Sequence, residues 1–279
     1  MSMWISNLGG KVFKVFPWLY CIISIYPLVY MLFFSLKSNE EILYQNPFGI
    51  PHVFHFDNYS RAVKAFNILL FFKNSVIVSF ASLIGIILFS ITFAYAASRM
   101  EWRLNKWTTT YMLMGLFIPI QSIMIPLSLL VKNFHLANSY FSLIVPYISF
   151  NLSFSVLIFY GFFRTIPPEM EESAFMDGAG IARTFVNIIL PIMRPAIATV
   201  IIFSFMGVWN EFTMATVLIS DAHFKTLPVG LVSFTGARSS DYGGMGAAMV
   251  MASIPTFVVY LIFSEQVEKA LTVGSAVKG

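Results

Sequence analysis

Long stretches without a charged side chain constrain the fold of this chain more than any other feature of its sequence. Residues 15–36, 75–98 and 107–131 contain no Asp, Glu, Lys or Arg, and residues 195–220 contain only Glu211. A helix needs about 20 mostly apolar residues to cross the hydrocarbon core of a bilayer. Only 11% of the chain is charged, whereas an average soluble domain carries about 25%. The chain is therefore predicted to lie in a membrane.

Six apolar segments are long enough to be spans. Their predicted bounds are 15–36, 75–98, 107–131, 139–163, 195–220 and 246–264. They lack the alternating pattern of membrane β-barrels, and their internal prolines predict kinked helices. A cleaved signal peptide is the alternative for the first segment, but its apolar region would be shorter, about 7–15 residues. We expect an all-α, polytopic membrane helix bundle with a single transmembrane domain over residues 1–279.

The distribution of Lys and Arg predicts the orientation of the bundle. With the N-terminus inside, the inner segments hold ten basic residues and the outer segments hold seven. An excess of Lys and Arg is typical of cytoplasmic loops. We therefore expect both termini and the loop 164–194 in the cytoplasm, and the loop 37–74 outside as a partly structured cap.

The loop 164–194 is a polar island between apolar segments. It holds Glu169, Glu171, Glu172 and Asp177 within nine positions. Two prolines start a helix well at residues 167–168, and acidic side chains stabilise a helix at its positive N-terminal end. The pattern predicts a short helix. It leaves two interpretations open: an element that docks a soluble partner, or an interfacial loop whose acids are solvated.

The second half of the island predicts a second helix. Asp177-Gly178 is typical of a turn. Residues 181–190 are amphipathic, and the apolar residues expected on one face are Ile181, Phe185, Ile188 and Ile189. This helix is expected to lie against the membrane.

The island resembles the Glu-Ala-Ala loop of the membrane-spanning permease subunits of ABC importers. The resemblance rests on Glu172-Ser173-Ala174, Asp177-Gly178-Ala179, Leu190-Pro191 and Pro195, with Ser173 in place of the first Ala. It implies a coupling helix that sits in a cleft of a cytoplasmic ATPase subunit. The implied coupling residues are Glu169, Glu171, Glu172, Ser173, Ala174, Asp177, Gly178, Ala179, Leu190 and Pro191.

Other segments are similar to the carbohydrate-uptake branch of that family, and to its maltose-type second permease. They are Asp57-Asn58-Tyr59, Asn74-Ser75, Leu136-Ala137-Asn138-Ser139, Trp209-Asn210-Glu211-Phe212 and the C-terminal run Gly274 to Gly279, where Ser275 replaces a family Gly. The resemblance implies a prokaryotic plasma-membrane subunit that forms a sugar or oligosaccharide path with a second permease. The other implied partners are a cytoplasmic ATPase dimer and an extracytoplasmic sugar-binding protein.

Glu211 is the one acid inside a predicted span. An intramembrane charge costs about 2.5–3.5 kcal/mol on insertion scales, so it is a candidate functional residue. With Asn210 it offers polar groups that match sugar hydroxyls, and the alternative is a polar pair that satisfies a neighbouring helix. Gln121 and Asn151 are further candidates for the substrate path, and for them the helix-contact interpretation leads.

The sequence offers no catalytic, cofactor or metal motif. Gly9-Gly10-Lys11 is followed by Val12, where a phosphate-binding loop needs Ser or Thr. We therefore expect no enzyme activity, with ATP hydrolysis on a separate subunit. The histidines His52, His55, His135 and His223 are scattered, and a net charge of +4 is too small to suggest nucleic acid. The alternative functions are import of a non-sugar solute, a stand-alone channel or a secondary carrier.

Overall fold

The structure is a computed structural model that describes residues 2–65, 67–236 and 240–276. Within these ranges, side chains are described for residues 16–64, 67–236 and 240–265. The described backbone is helical apart from turns, short connections and one isolated antiparallel bridge between Thr235 and Ser240. The predicted all-α fold is confirmed for this part of the chain.

The described residues form thirteen α-helices with short π and 3-10 segments between them. In chain order they are α1 (Ser2–Ser35), α2 (Asp57–Ala65), α3 (Ile68–Arg99), α4 (Asn105–Met114), α5 (Met124–Asn133), α6 (Phe141–Phe163), α7 (Glu169–Met176), α8 (Ile181–Thr184), α9 (Leu190–Ile192), α10 (Arg194–Trp209), α11 (Thr213–Leu218), α12 (Leu227–Leu231) and α13 (Tyr242–Ala276). Close contacts divide the chain into one unit of Met1–Leu69 with Gly230–Ile254 and a second of Leu70–Val229 with Pro255–Gly279.

Four helices are long and apolar enough to cross a membrane. Their apolar stretches are Phe16–Ser35 in α1, Ile68–Arg99, Phe141–Phe163 and Tyr242–Glu265 in α13. These stretches overlap the first, second, fourth and sixth predicted spans, although α3 begins seven residues earlier than expected. Two further helix pairs qualify only as strongly bent spans, and counting each pair as one gives six.

The third predicted span is broken rather than continuous. Helix α4 continues as a 3-10 turn to Phe117, and the second half, Ile120–Asn133, runs at 98° to the first. Pro119 lies at the break. A proline disfavours helical backbone at the residue before it, and Ile118 is extended, with φ −87° and ψ 110°. The kink expected from the prolines of this segment is therefore a full break at Pro119, and the two halves together cover the predicted span.

The fifth predicted span also breaks, but without a proline. Helix α10 ends at Trp209, and α11 begins at Thr213. The carboxylate of Glu211 accepts hydrogen bonds from the backbone N–H groups of Met214 at 2.7 Å and Ala215 at 3.0 Å. These bonds satisfy donors that the start of a helix leaves without a partner. The segment 195–220 thus contains two helices, because the Glu211 side chain supports a new helix start inside it.

The second half of the polar island forms helix, but its register changes. A π segment, Phe185–Ile189, separates α8 from α9, and the segment Ile181–Ile192 lies at 73° to α10. Ile189 is fully buried, whereas Ile181 is 54% exposed. Ile189 thus packs into the core while Ile181 stays on the surface, because the wider π turn changes the register between them.

In the unit Leu70–Val229 with Pro255–Gly279, a core of buried apolar side chains joins α3, α6 and α10. Its members include Val78, Ile86, Leu143, Phe159, Phe163, Met193 and Val200. Gly85 permits a close approach there, because a Cβ atom at this position would lie 2.4 Å from the Ile148 side chain. The sequence analysis did not predict which helices meet at this core.

In the unit Met1–Leu69 with Gly230–Ile254, Asn58 caps the end of α1. Its side-chain amide is fully buried and donates hydrogen bonds to the carbonyls of Ser35 at 2.8 Å and Lys37 at 3.0 Å. Arg61 donates to the side-chain Oδ1 atom of Asn58 and to the Asp241 carboxylate, and the bond to Asp241 raises the pKa of Arg61. Asn58 thus supplies partners that the last carbonyls of a helix lack.

Candidate docking site and intramembrane polar site

Helix α7 presents an acidic and apolar surface. Glu169 and Glu172 are exposed on it, and Asp177 is exposed at its C-terminal cap. Met176 is 88% exposed, and Phe175 beside it is 43% exposed. An exposed apolar patch rimmed by polar groups is typical of a protein interaction site. The surface therefore has the composition expected of a docking element.

Gly178 ends helix α7 in a Schellman motif. Its φ is +80°, a left-handed conformation that glycine adopts without a Cβ penalty. The N–H of Ala179 donates to the carbonyl of Ala174 at 2.9 Å, and the N–H of Gly178 donates to the carbonyl of Phe175 at 3.0 Å. This pair of bonds defines the motif and turns the chain towards α8.

Glu171 differs from the other acids of the island because it is buried. It is 6% exposed, and its carboxylate lies 2.7 Å from the Arg99 Nε atom, an ion pair rather than a well-aligned hydrogen bond. The Tyr95 hydroxyl donates to the other oxygen at 2.8 Å, and Arg99 also donates to the carbonyl of Ile166 at 2.6 Å. Glu171 therefore ties α7 to the end of α3.

Tyr95 also packs against a residue just before the island and a residue in its second half. Its ring lies 4.7 Å from the ring of Phe185, in the π segment, and 5.6 Å from the ring of Phe163, at the end of α6. The anchor, formed by Tyr95, Arg99 and Glu171, thus contacts the start and the return of the island. The sequence pattern indicated Glu171 as a site residue but gave no signal that Tyr95 and Arg99 are its partners.

The other predicted coupling residues lie along the same stretch. Ser173 is exposed and donates to the carbonyl of Glu169 at 2.8 Å, and Ala174 is buried. Ala179 and Leu190 are half-buried, and Pro191 is exposed in α9. The small side chain of Ala174 fits the close packing of α7.

The intramembrane polar site is built around Glu211. In addition to the two backbone bonds that start α11, its carboxylate accepts a hydrogen bond from the Tyr147 hydroxyl at 2.7 Å. Tyr147 is buried in α6. Three donors of its own chain therefore satisfy this carboxylate, which links α6 to the break between α10 and α11.

The three other residues predicted for the substrate path differ in the exposure and hydrogen bonding of their side-chain amides. Asn151 is half-buried in α6, and its amide donates to the carbonyl of Tyr147 at 2.8 Å. Asn210 is exposed, and its amide donates to the carbonyl of Met206 at 2.9 Å. Gln121 is exposed in the 3-10 turn that follows the break at Pro119. Asn210 and Gln121 thus present amide groups on the surface of this subunit.

Polar residues of two segments with family-like motifs, Asn74-Ser75 and Leu136-Ala137-Asn138-Ser139, hold loops against helix ends. The Asn74 amide donates to the carbonyls of His223 at 2.7 Å and Lys225 at 2.9 Å, and Ser75 accepts from the N–H of Leu227 at 2.8 Å. The side-chain Oδ1 atom of Asn138 accepts hydrogen bonds from the backbone N–H groups of Ser220 at 2.9 Å and Asp221 at 3.0 Å. These polar side chains fix loops to helix ends.

Histidine and carboxylate pairs occur, but they do not gather into a metal site. His52 lies 3.2 Å from Glu41, and His223 lies 3.1 Å from Asp221. The hydrogen bond from the His223 N–H lowers the pKa of Asp221. Within the described residues no group of three or more His, Cys, Asp or Glu could hold a metal ion.

This chain is similar in sequence to a family of membrane transport proteins and to two permease proteins. The model of a family described as binding-protein-dependent transport system inner membrane component matches residues 86–273. The diacetylchitobiose uptake system permease protein NgcG of Streptomyces coelicolor is 35% identical, over 92% of this chain and 85% of NgcG. The multiple sugar-binding transport system permease protein MsmG of Streptococcus mutans is 28% identical, over 91% of this chain and 92% of MsmG.

A similar fold is also found among solved structures. A bacterial ABC transporter involved in the import of the acidic polysaccharide alginate contains a chain that matches with a TM-score of 0.82 at 21% identity. The match covers 93% of this chain and 96% of that chain. At this identity the likeness is one of fold.

Proposed function

Since this chain belongs to the binding-protein-dependent transport system inner membrane component family, we propose that it is a permease subunit of an ABC importer for a sugar or oligosaccharide. The proposal places the chain in a prokaryotic plasma membrane beside a second, homologous permease. An extracytoplasmic sugar-binding protein delivers the solute, and a cytoplasmic ATPase dimer drives its passage. ATP is hydrolysed on the ATPase dimer rather than on this chain.

The observation that carries the proposal is the geometry of the polar island. Helix α7 exposes Glu169, Glu172 and Met176, while buried Glu171 holds it against α3. A docking element has to combine an accessible surface with a firm attachment to the transmembrane helices, because force applied to a loose loop would not reach the path. The acids favour a basic cleft on the ATPase, and Met176 and Phe175 favour apolar contacts at its centre.

The substrate class rests on the relatives and on the chemistry of the intramembrane polar site. The names of NgcG and MsmG refer to diacetylchitobiose and to multiple sugars. Amide groups pair well with sugar hydroxyls, because they supply both donors and acceptors. We propose Asn210 and Gln121 as residues of the path, and Glu211 and Asn151 as supports behind them, because the last two bind groups of their own chain.

Reconstitution of the whole complex tests this function. The two permeases, the ATPase and the binding protein are placed in proteoliposomes, and uptake of labelled oligosaccharides is measured with and without ATP. We expect uptake that needs both ATP and the binding protein. Uptake of sugar without ATP, or no uptake of any oligosaccharide with all partners present, would contradict the proposal.

The variant Glu172→Lys tests the docking surface itself. Reversing a charge at a buried interface costs several kcal/mol, so transport and substrate-stimulated ATPase activity should both fall at least tenfold, while membrane insertion stays intact. Glu40→Lys, which reverses an exposed acid outside the polar island, is the matched control and should leave both activities unchanged. Equal activities in the two variants would remove Glu172 from the docking surface.

A further inference from the structure

A cavity of about 630 Å³ lies where the end of α3, the start of α4 and α6 meet. The residues of its lining that matter here are Glu101, Trp102, Arg103, Lys106, Thr110 and Tyr160. Its volume is within the range of small-molecule sites, about 300–1,000 Å³. The cavity is separate from the docking surface of α7 and from the intramembrane polar site.

The lining of the cavity favours an anion. Arg103 and Lys106 are exposed, and neither forms an ion pair within the described part of the chain. The Thr110 hydroxyl adds a donor. Basic side chains with several N–H donors are the groups that bind phosphate oxygens in proteins.

The neighbouring surface of α4 favours lipid. Trp107, Tyr111 and Met114 are 75%, 79% and 58% exposed. Their spacing of four and three residues places them on one face of the helix. Trp and Tyr are enriched where a membrane protein meets the boundary between headgroups and acyl chains. A molecule with a phosphate group and long apolar chains would thus contact both the cavity and this face.

Glu101 limits the charge of that molecule. Among the ionisable groups that line the cavity, Arg103 and Lys106 are positive and Glu101 is negative, which leaves one net positive charge. One net charge matches a phosphodiester with a single negative charge better than a phosphomonoester with two. A zwitterionic headgroup gains less, since its own cation lies next to the phosphate.

We propose that this cavity binds the headgroup of a phospholipid with one net negative charge, such as phosphatidylglycerol. The acyl chains lie along the exposed face of α4. Basic pockets between transmembrane helices bind anionic headgroups in this way. The proposal depends on the membrane location of the family and not on the solute that the importer carries.

Lipid binding to the purified importer complex provides the test. The complex is delipidated in a non-ionic detergent and titrated with phosphatidylglycerol, phosphatidylcholine or inorganic phosphate, and bound lipid is counted by native mass spectrometry. We expect tighter binding of phosphatidylglycerol than of phosphatidylcholine by about tenfold. Inorganic phosphate at the same concentration should not displace the lipid, because it lacks the chains that contact α4.

Three variants with opposite expected effects keep the test independent of folding. Arg103→Gln and Lys106→Gln should each weaken phosphatidylglycerol binding about fivefold, since a basic residue near a membrane surface contributes about 1 kcal/mol. Glu101→Gln should strengthen it several-fold and should raise the affinity for phosphatidic acid even more. A misfolded protein would not bind lipid more tightly.

Arg194→Gln is the matched control, because Arg194 is an exposed cation of the polar island outside the cavity lining. It should leave lipid binding unchanged. Equal losses at Arg103 and Arg194 would show non-specific attraction and overturn the proposal. Displacement by inorganic phosphate would assign the cavity to a soluble phosphate compound. Unchanged lipid binding in the Arg103, Lys106 and Glu101 variants of the assembled complex would likewise overturn the proposal.

Discussion

At the scale of single residues, Gly178 is the position where backbone conformation and docking meet. Its φ of +80° ends α7, and no heavy atom lies within 4 Å of the place where a Cβ would stand. The cost of a side chain in this chain alone is therefore backbone strain and not collision. A non-glycine residue in the left-handed region costs about 1–3 kcal/mol, and Asn tolerates it best.

Substitutions at Gly178 should follow that order. We expect Gly178→Val to weaken ATPase assembly strongly, Gly178→Ala less, and Gly178→Asn least, as measured by the ATPase that co-purifies with the permease pair. Ala182→Val, at an exposed position in α8, should have no effect. If Asn abolishes assembly as fully as Val, then the ATPase approaches Gly178 too closely for any side chain, and strain is not the reason.

At the scale of elements, the anchor of Tyr95, Arg99 and Glu171 joins α7 to α3. Arg99 and Glu171 are 15% and 8% exposed at their side chains, so removing either one leaves a buried charge without its partner. Breaking a buried pair on one side typically costs about 3–5 kcal/mol, whereas removing both charges costs less. The anchor therefore predicts non-additive effects of mutation.

A double-mutant cycle measures this coupling. Arg99→Gln and Glu171→Gln should each lower the melting temperature of the complex and its substrate-stimulated ATPase activity, and the double variant should lose less than the sum of the two. Coupling energies of contacting pairs reach about 0.5–3 kcal/mol. Glu172→Gln, an exposed acid on the same helix, should be additive with Arg99→Gln. Additive effects of Arg99 and Glu171 would mean that the anchor transmits nothing between the two helices.

The elements also show how far the sequence alone reaches. The length of the uncharged segments indicated the four long apolar helices, because the thickness of the bilayer sets that length regardless of how the helices pack. The proline at 119 indicated a kink, but the angle of 98° depends on how both halves pack. The break after Trp209 has no proline to reveal it, and depends on the carboxylate of Glu211, which sequence analysis assigned to the substrate path.

The candidate docking site likewise has features that the sequence predicts and features that it does not. The Asp177-Gly178 turn was predictable, since only local backbone geometry decides it. The Schellman bonds confirm that turn. The inward orientation of Glu171 was not predictable, because Tyr95 lies 76 residues away in sequence and meets Glu171 only after α3 has packed beside the island. Among four similar acids, spacing alone does not distinguish the one that anchors from those that face a partner.

At the scale of the whole molecule, the remaining question is what selects the transported sugar. A binding protein that delivers the solute would dominate selection, so a permease residue affects the sugar profile only if it lies on the path. Glu211 is the residue whose role decides this, because its carboxylate lies at the break between α10 and α11 and is satisfied by Tyr147 and by the start of α11.

Glu211→Gln separates the two roles when it is measured on the assembled complex. An amide keeps the shape but accepts fewer hydrogen bonds, and loss of a bond to a charged group costs about 1.5–3 kcal/mol. Because three donors of the chain already occupy the carboxylate, we expect a lower melting temperature of the complex and an unchanged ranking of transported oligosaccharides. Tyr147→Phe, which removes one of the three donors, should lower the melting temperature by a smaller amount. Uptake of several oligosaccharides is measured with the binding protein saturating. A changed ranking with an unchanged melting temperature would return Glu211 to the sugar path and make Asn151, which lies beside Tyr147 in α6, the next residue to substitute.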